Sequence, residues 1–202
     1  LGTGEPWRTR DAVSFSPSIS ENDLYLFGQG NEYRIYEKLG AHPQSIDGVS
    51  GTSFAVWAPN AKRVSVVGDF IAGKFVKHPM RMLGQSGVWE LFVPRSGVGS
   101  RYQYQILQAG GQLQQKADPF GLYFDRDSNV GVSTVCDNSR FPWSDAEWIG
   151  QREQCDLRTQ PISIYELHLG SWRKKNTGEF YNYRELADCL VDYIRQLGFT
   201  HV

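Results

Sequence analysis

The sequence predicts a small β-sandwich followed by the opening strand and helix of a larger α/β domain. Three observations carry this prediction. Between Gly51 and Asp137, short runs alternate apolar and polar residues at every second position, with turn-rich separators and no helical period between them. Ile162 to Leu169 (ISIYELHL) is dense enough in apolar and aromatic residues for a parallel strand buried on both faces. Leu186, Leu190, Ile194 and Leu197 then recur on one stripe of period 3.6.

The 202 residues carry 21 Lys+Arg against 22 Asp+Glu, and this balance, with no basic run, argues against a phosphate-tracking nucleic-acid binder. A 40% hydrophobic, 21% charged composition is that of a chain able to bury a core. Its apolar stretches fall far short of the roughly 20 residues that span a bilayer, and no secretory signal opens it. Cys136, Cys155 and Cys189 are widely spaced and form no CxxC pair, which suggests neither a disulfide framework nor a zinc site and fits a reducing, cytoplasmic compartment. Leu1 at the start, and Val202 just after a helix pattern and a Gly, make both ends read as cut.

In chain order, residues 1–50 read as an irregular amino-terminal segment. Leu1 to Ser20 mixes Gly, Pro, Ser and Thr without a period, and Glu21 to Leu39 has the apolar residues to dock on a neighbour but is too broken by Gly for a long helix. Residues 51–137 form the sandwich. Thr52 to Ala58 sets Phe54 and Val56 against Ala55 and Trp57, and Val64 to Phe70 follows. Val88 to Val93 sets Trp89, Leu91 and Val93 against Val88, Glu90 and Phe92. Arg101 to Leu107 sets Tyr102, Tyr104 and Ile106 against Arg101, Gln103 and Gln105, and Gly131 to Val135 offers a further strand. Such alternation marks half-buried antiparallel strands. Residues 138–160 read as a linker pinned by Phe141, Trp143 and Trp148. Residues 161–202 supply a strand, a helix capped by Asn182 with Glu185 at the third helical position, Gly198 just past its end, and the start of a second strand. A lone β–α unit cannot cover its own apolar faces, so these residues read as the incomplete start of a larger domain.

IYEKLGAHP (Ile35 to Pro43), FAVWAPNAKRVSVVGDF (Phe54 to Phe70), HPM (His78 to Met80), GVWELFVP (Gly87 to Pro94), KADPF (Lys116 to Phe120) and ISIYELHLGSW (Ile162 to Trp172) occur in this order. Together they resemble the amino-terminal part of the glycogen (1,4-α-glucan) branching enzymes of glycoside hydrolase family 13. The resemblance covers roughly Asp23 to Val202. It implies an immunoglobulin-like β-sandwich of the family-48 carbohydrate-binding type, followed by the truncated strand–helix–strand start of a (β/α)8 TIM barrel, whose chemistry sits at the carboxyl ends of its strands. The implied reaction moves α-1,4-glucan segments to 6-hydroxyls with retention, through a carboxylate nucleophile and a second carboxylic acid. Those carboxylates belong to later barrel strands, so no catalytic residue is expected here and this chain alone should be inactive. The resemblance further implies glycogen or α-1,4-glucan as partner, no cofactor or metal, neither nucleic acid nor membrane, a monomeric parent enzyme and a cytoplasmic location. The alternative is a non-catalytic glucan-associated binding or scaffold module. HLGSW and GAHP speak against a trehalohydrolase or debranching relative.

Four residues are candidates for sugar contact: Trp57, Phe75, His168 and Trp172. Trp57 could stack on a pyranose, but its alternating strand favours a packed structural role, as it does for Trp89; Tyr102 and Tyr104 read as core. Members of the resembled family usually follow GDF with Asn, then Trp and Asp-Gly, whereas this chain reads GDFIAGKFVKHPM: Ile71 replaces the Asn, and the place of the Trp falls near Gly73. Loss of a stacking platform removes about 1–2 kcal/mol of sugar binding. Phe75 is the available substitute; otherwise the sandwich is expected to play a structural part. His168 reads first as a hydrogen-bonded structural residue and second as substrate-lining, and Trp172 lies just past the strand end. Glu166 lacks a partner carboxylate, Asp118-Pro119 marks a turn, and Asp125, Asp127 and Asn129 lack the Gly and Glu of a calcium loop.

Overall fold

Period-2 alternation becomes ten strands in the computed structural model of the chain, which describes residues 11–71, 73–125 and 131–202, the side chains of Ile71 and Arg140 excepted. The strands are β1 (Gly40–Ile46), β2 (Val49–Trp57), β3 (Ala61–Ile71), β4 (Lys74–Pro79), β5 (Arg81–Met82), β6 (Val88–Pro94), β7 (Arg101–Gln108), β8 (Leu113–Lys116), β9 (Tyr123–Asp125) and β10 (Val132–Thr134). One sheet runs β1-β2-β6-β5. The other runs β4-β3-β7-β10-β9, with β8 also paired to β7, and every pairing is antiparallel. Among the described residues three α-helices accompany them: α1 (Glu21–Gly28), α2 (Ala146–Glu153) and α3 (Tyr183–Gln196).

The sandwich begins at Gly40, not at Gly51. Asp47 and Gly48, with φ of 51° and 76°, close a two-residue hairpin that pairs Ile46 with Val49 and adds β1 to the first sheet. Between the sheets, the inward residues Phe54, Val56, Val64, Val66, Leu91, Val93, Tyr102 and Tyr104 form the main core. Trp89 joins them, its indole N–H donating to the Ala58 carbonyl at 3.1 Å.

The opposite face of β6 was expected to be half-exposed, yet Val88, Glu90 and Phe92 are all buried. Residues 12–39 cover that side of the first sheet. Ile19 and Leu39 pack with Ala55, Leu83 and Val88, with Leu24, Phe27 and Ile35 beside them, and Phe15 meets Phe92 edge-on at 4.8 Å. The segment is therefore irregular only in part, and α1 opens with a full capping box between Ser20 and Asp23. Expectations for residues 1–10 lie outside the described residues.

The chain divides into two units, Leu1–Phe141 and Pro142–Val202. In the second, α3 has the expected cap: Asn182 accepts from the Arg184 and Glu185 amides, and Glu185 accepts from the Asn182 amide. Leu186, Leu190 and Ile194 are buried, whereas Leu197, at the cap, is exposed. Gly198 takes φ 76°, the left-handed conformation that ends the helix.

The expected strand at 162–169 is reduced to a single parallel bridge, Ile164 to His201, with the Tyr165 amide donating to the His201 carbonyl at 2.9 Å. It is also not buried on both faces, since Ile164 is 64% exposed. A buried parallel strand needs strands along both edges and helices on both faces, and among the described residues this segment has one bridge, to His201, and the stripe of α3. Within the expected linker, residues 146–153 are helical, and Phe141, Trp143 and Trp148 are exposed.

Buried apolar contacts set resistance to local opening. Limited proteolysis of the 202-residue chain should therefore cut first within 142–202 and leave 40–135 intact, as read by mass spectrometry of the fragments. Equal protection of both regions would contradict this account.

Candidate functional site

Alternation along β7 sends Tyr102 and Tyr104 into the core and Arg101, Gln103, Gln105 and Leu107 to the outer face of the second sheet. Register extends that face. Gln103 lies opposite Val67, which lies opposite Lys77; Gln105 lies between Ser65 and Gln115; Leu107 lies opposite Leu113. The Gln103 amide donates to the Gly131 carbonyl at 3.1 Å, while the buried Gln105 Oε1 has no hydrogen-bond partner among the described residues.

At one end of this face, Asp69 accepts from the Arg101 backbone N–H at 2.7 Å and from its Nε at 3.0 Å. The guanidinium carbon stands 5.6 Å from the centre of the Phe75 ring, and Phe75 is 49% exposed. Local backbone chemistry creates the arrangement. The β3–β4 register shifts between Gly68 and Ile71, a bulge that re-aims the end of β3. A Cβ on Gly68 would meet the Phe70 ring at 2.3 Å and the Arg101 carbonyl at 2.7 Å, so only glycine permits this approach. Phe70 in turn packs on Phe54, ring centres 5.2 Å apart. Of the two positions to which the resemblance points, the Ile71 side chain lies outside the described residues, and Gly73 takes φ 73°.

The other candidates lie on other elements than Phe75. Trp57 lies on the outer side of the first sheet; it is 53% exposed, which corrects its packed role. Its indole N–H donates to Ser86 at 3.2 Å and its ring meets Phe27 edge-on at 5.8 Å. The strand ends one residue after Val56, so Trp57 reaches past the covered sheet. His168 and Trp172 belong to the unit 142–202. His168 Nδ1 is 2.8 Å from Ser171 Oγ. The Trp172 indole N–H donates to the Tyr165 hydroxyl at 3.0 Å, and its ring packs against Tyr193 and under Arg173. Glu166 is exposed. A groove of about 340 Å³ between the β2–β3 turn and the β7–β8 hairpin is lined mainly by Ala, Pro and Gly, with Asn60 and Gln108 as its amides. Among the described residues no group of three His, Cys, Asp or Glu could hold a metal ion; Asp127 and Asn129 lie outside them.

Beneath the face sits a carboxylate that sequence reasoning treated as a turn marker. Asp118 is buried and accepts from the Tyr102 hydroxyl at 2.6 Å, the Tyr104 hydroxyl at 3.3 Å and the Phe120 amide at 2.8 Å; its own amide donates to Ser133. Burial raises its carboxyl above the ordinary range, against the pull of these donors. Burial likewise pushes both phenols well up, which keeps them as donors.

Residues 38–121 match the family carbohydrate-binding module 48 (Isoamylase N-terminal domain). Over 202 residues the chain is 50% identical to a 1,4-alpha-glucan branching enzyme GlgB of Rubrobacter xylanophilus, covering 100% of this chain and 27% of that one. It is 45% identical over 201 residues to the enzyme of the same name from Methylococcus capsulatus, covering 99% and 27%. The chain thus spans about a quarter of the length of the curated relatives it matches. A pullulanase structure from Bacillus acidopullulyticus shares 26% identity over 49% of this chain and 12% of its own at a TM-score of 0.40, a partial likeness.

The raised Asp118 carboxyl has a pH consequence. The folded state holds that proton to higher pH than the unfolded chain, so its stabilisation is complete below the unfolded value and is lost as pH climbs through the raised one. Asp118→Asn lacks this titration and retains an acceptor for Tyr102. The urea midpoint of the unsubstituted chain minus that of the variant should therefore fall as pH rises through the acid range; a difference that grows with pH would contradict the assignment.

Proposed function

We propose that this chain, which belongs with the 1,4-α-glucan branching enzymes along its whole length, holds α-glucan for an enzyme that transfers α-1,4-glucan segments to 6-hydroxyls. The observation that carries the reading is the half-exposed Phe75 ring beside Arg101 on an amide-rich sheet face, within the segment that matches the carbohydrate-binding family. An aromatic face suits the C–H face of a pyranose, and the exposed carboxamide of Gln115 suits its hydroxyls. Phe75 is the stacking residue of this proposal. Trp57 keeps a secondary place on the far side of the sandwich, while His168 and Trp172, tied to Ser171 and Tyr165, order their own segment.

In the same reading, 138–160 links the module to 161–202, which form the strand–helix–strand start of a (β/α)8 TIM barrel. The parallel sense of the Ile164–His201 bridge flanking α3 supports that assignment. The retaining pair of carboxylates belongs to the part of the relatives' length that this chain does not span, so the chain alone makes no branches. A monomeric parent acting in the cytoplasm completes the proposal; no helix among the described residues is long and apolar enough to cross a membrane.

Glycogen co-sedimentation and maltoheptaose calorimetry test the binding half. The chain should bind both, and Phe75→Ala should weaken binding about 5- to 30-fold, the equivalent of about 1–2 kcal/mol of lost stacking. Grafted in place of the matching segment of the Rubrobacter relative, the chain should support formation of α-1,6 linkages, read by NMR of the glucan product. No binding by the chain, together with no branching by the graft, would overturn the reading.

A further inference from the structure

We infer that Arg101, locked by Asp69, is the hydroxyl-recognising residue of the Phe75 face, so that Phe75, Arg101 and Asp69 together form a subsite for one neutral glucosyl unit. This rests on the glucan reading above.

Three features support it. Arg101 is immobilised through its backbone N–H and its Nε, both on the Asp69 carboxylate, and this two-point hold spends the inner edge of the guanidinium. About half of the Arg101 side chain is exposed. The hold is also built into the backbone: a glycine that tolerates no Cβ and a bulge directly after it set Asp69 against Arg101. Finally, the positive charge is matched by the carboxylate 3.0 Å away. An unpaired arginine would favour a phosphate or a carboxylate ligand. A neutralised one offers fixed N–H donors with little net field, which suits an uncharged polyol lying on the adjacent ring. Fixed donors also lose little rotamer freedom on binding, which matters for a weakly held sugar.

Maltoheptaose calorimetry on the 202-residue chain and its Phe75→Ala, Arg101→Ala, Arg101→Lys and Asp69→Asn variants tests the subsite, with thermal melts as the folding control. Arg101→Ala should weaken binding on the order of tenfold, and Arg101→Lys should not restore it, because an ammonium cannot keep the two-point hold and still reach the sugar. Asp69→Asn should weaken binding too, and its effect should not add to that of Arg101→Ala, since Asp69 acts through Arg101 as a positioning residue. The NMR signal of the Arg101 Nε–H in the unsubstituted chain should shift on adding maltoheptaose, a readout that needs no variant to fold. If the chain binds and Phe75→Ala weakens it while Arg101→Ala stays within about twofold, the subsite is overturned and the glucan reading stands. If the unsubstituted chain binds neither maltoheptaose nor glycogen, both fall. Displacement of maltoheptaose by millimolar inorganic phosphate would overturn the neutral-ligand assignment.

Discussion

The architecture of the first unit hangs on one buried carboxylate. Glu90 is fully buried on the outer side of the first sheet, where it accepts from Arg81 Nε at 3.0 Å and Nη2 at 2.8 Å, and from the Ser18 amide and hydroxyl, each at 3.1 Å. Arg81 then reaches on to the Phe15 carbonyl at 2.6 Å. A buried ion pair is tolerable only when its lone pairs and protons are satisfied, and loss of one partner costs about 3–5 kcal/mol. Here the partners come from two distant stretches of chain, so satisfying the charge also fixes residues 15–18 against β5 and β6. With that anchor in place, Phe15, Ile19 and Leu39 can bury their apolar surface on the sheet. The polar contact sets position and the apolar contacts supply most of the free energy.

The second sheet solves the same problem with opposite polarity. Its inner tyrosines are buried by satisfying their hydroxyls on Asp118, so a polar knot lies within the sandwich. Its outer face carries amides and charges, and Asp69 orders Arg101 beside the half-exposed Phe75 ring. The module therefore spends one outer face on its own stability and presents the other to its surroundings.

This division explains which parts of the fold were legible in the sequence. Alternation at Phe54/Val56, Leu91/Val93 and Tyr102/Tyr104 identified the inner faces, because period 2 reports burial on one side. It misjudged Glu90 and Val88, since burial of the second side depends on residues seventy positions away that carry no period of their own. The hairpin at Asp47-Gly48 was missed inside a stretch read as irregular, although its dipeptide is a stronger turn signal than the composition around it. α3 was legible to the residue at both caps because Asn182, Glu185 and Gly198 act locally. Asp118 looked like a turn for the same reason: its local signature, Asp-Pro, is that of a turn, while its burial comes from β7 and β10. Arg101 sat on the polar half of a clean alternation, and only register could bring Asp69 to it, thirty-two residues earlier in the chain.

The exposed apolar residues of 142–202 fit the same physics. α3 buries Leu186, Leu190 and Ile194, yet Val191 and Leu197 remain exposed, as do Ile162 and Ile164 on the segment it follows. Surface of that kind is costly in water at about 25 cal/mol per Å², so sequence density and local burial disagree along this stretch. In the sandwich the inward residues of both sheets are buried, and the outer side of the first sheet is matched by residues 12–39. The apolar pattern of 142–202 thus exceeds what that unit itself covers, whereas the sandwich closes its own core.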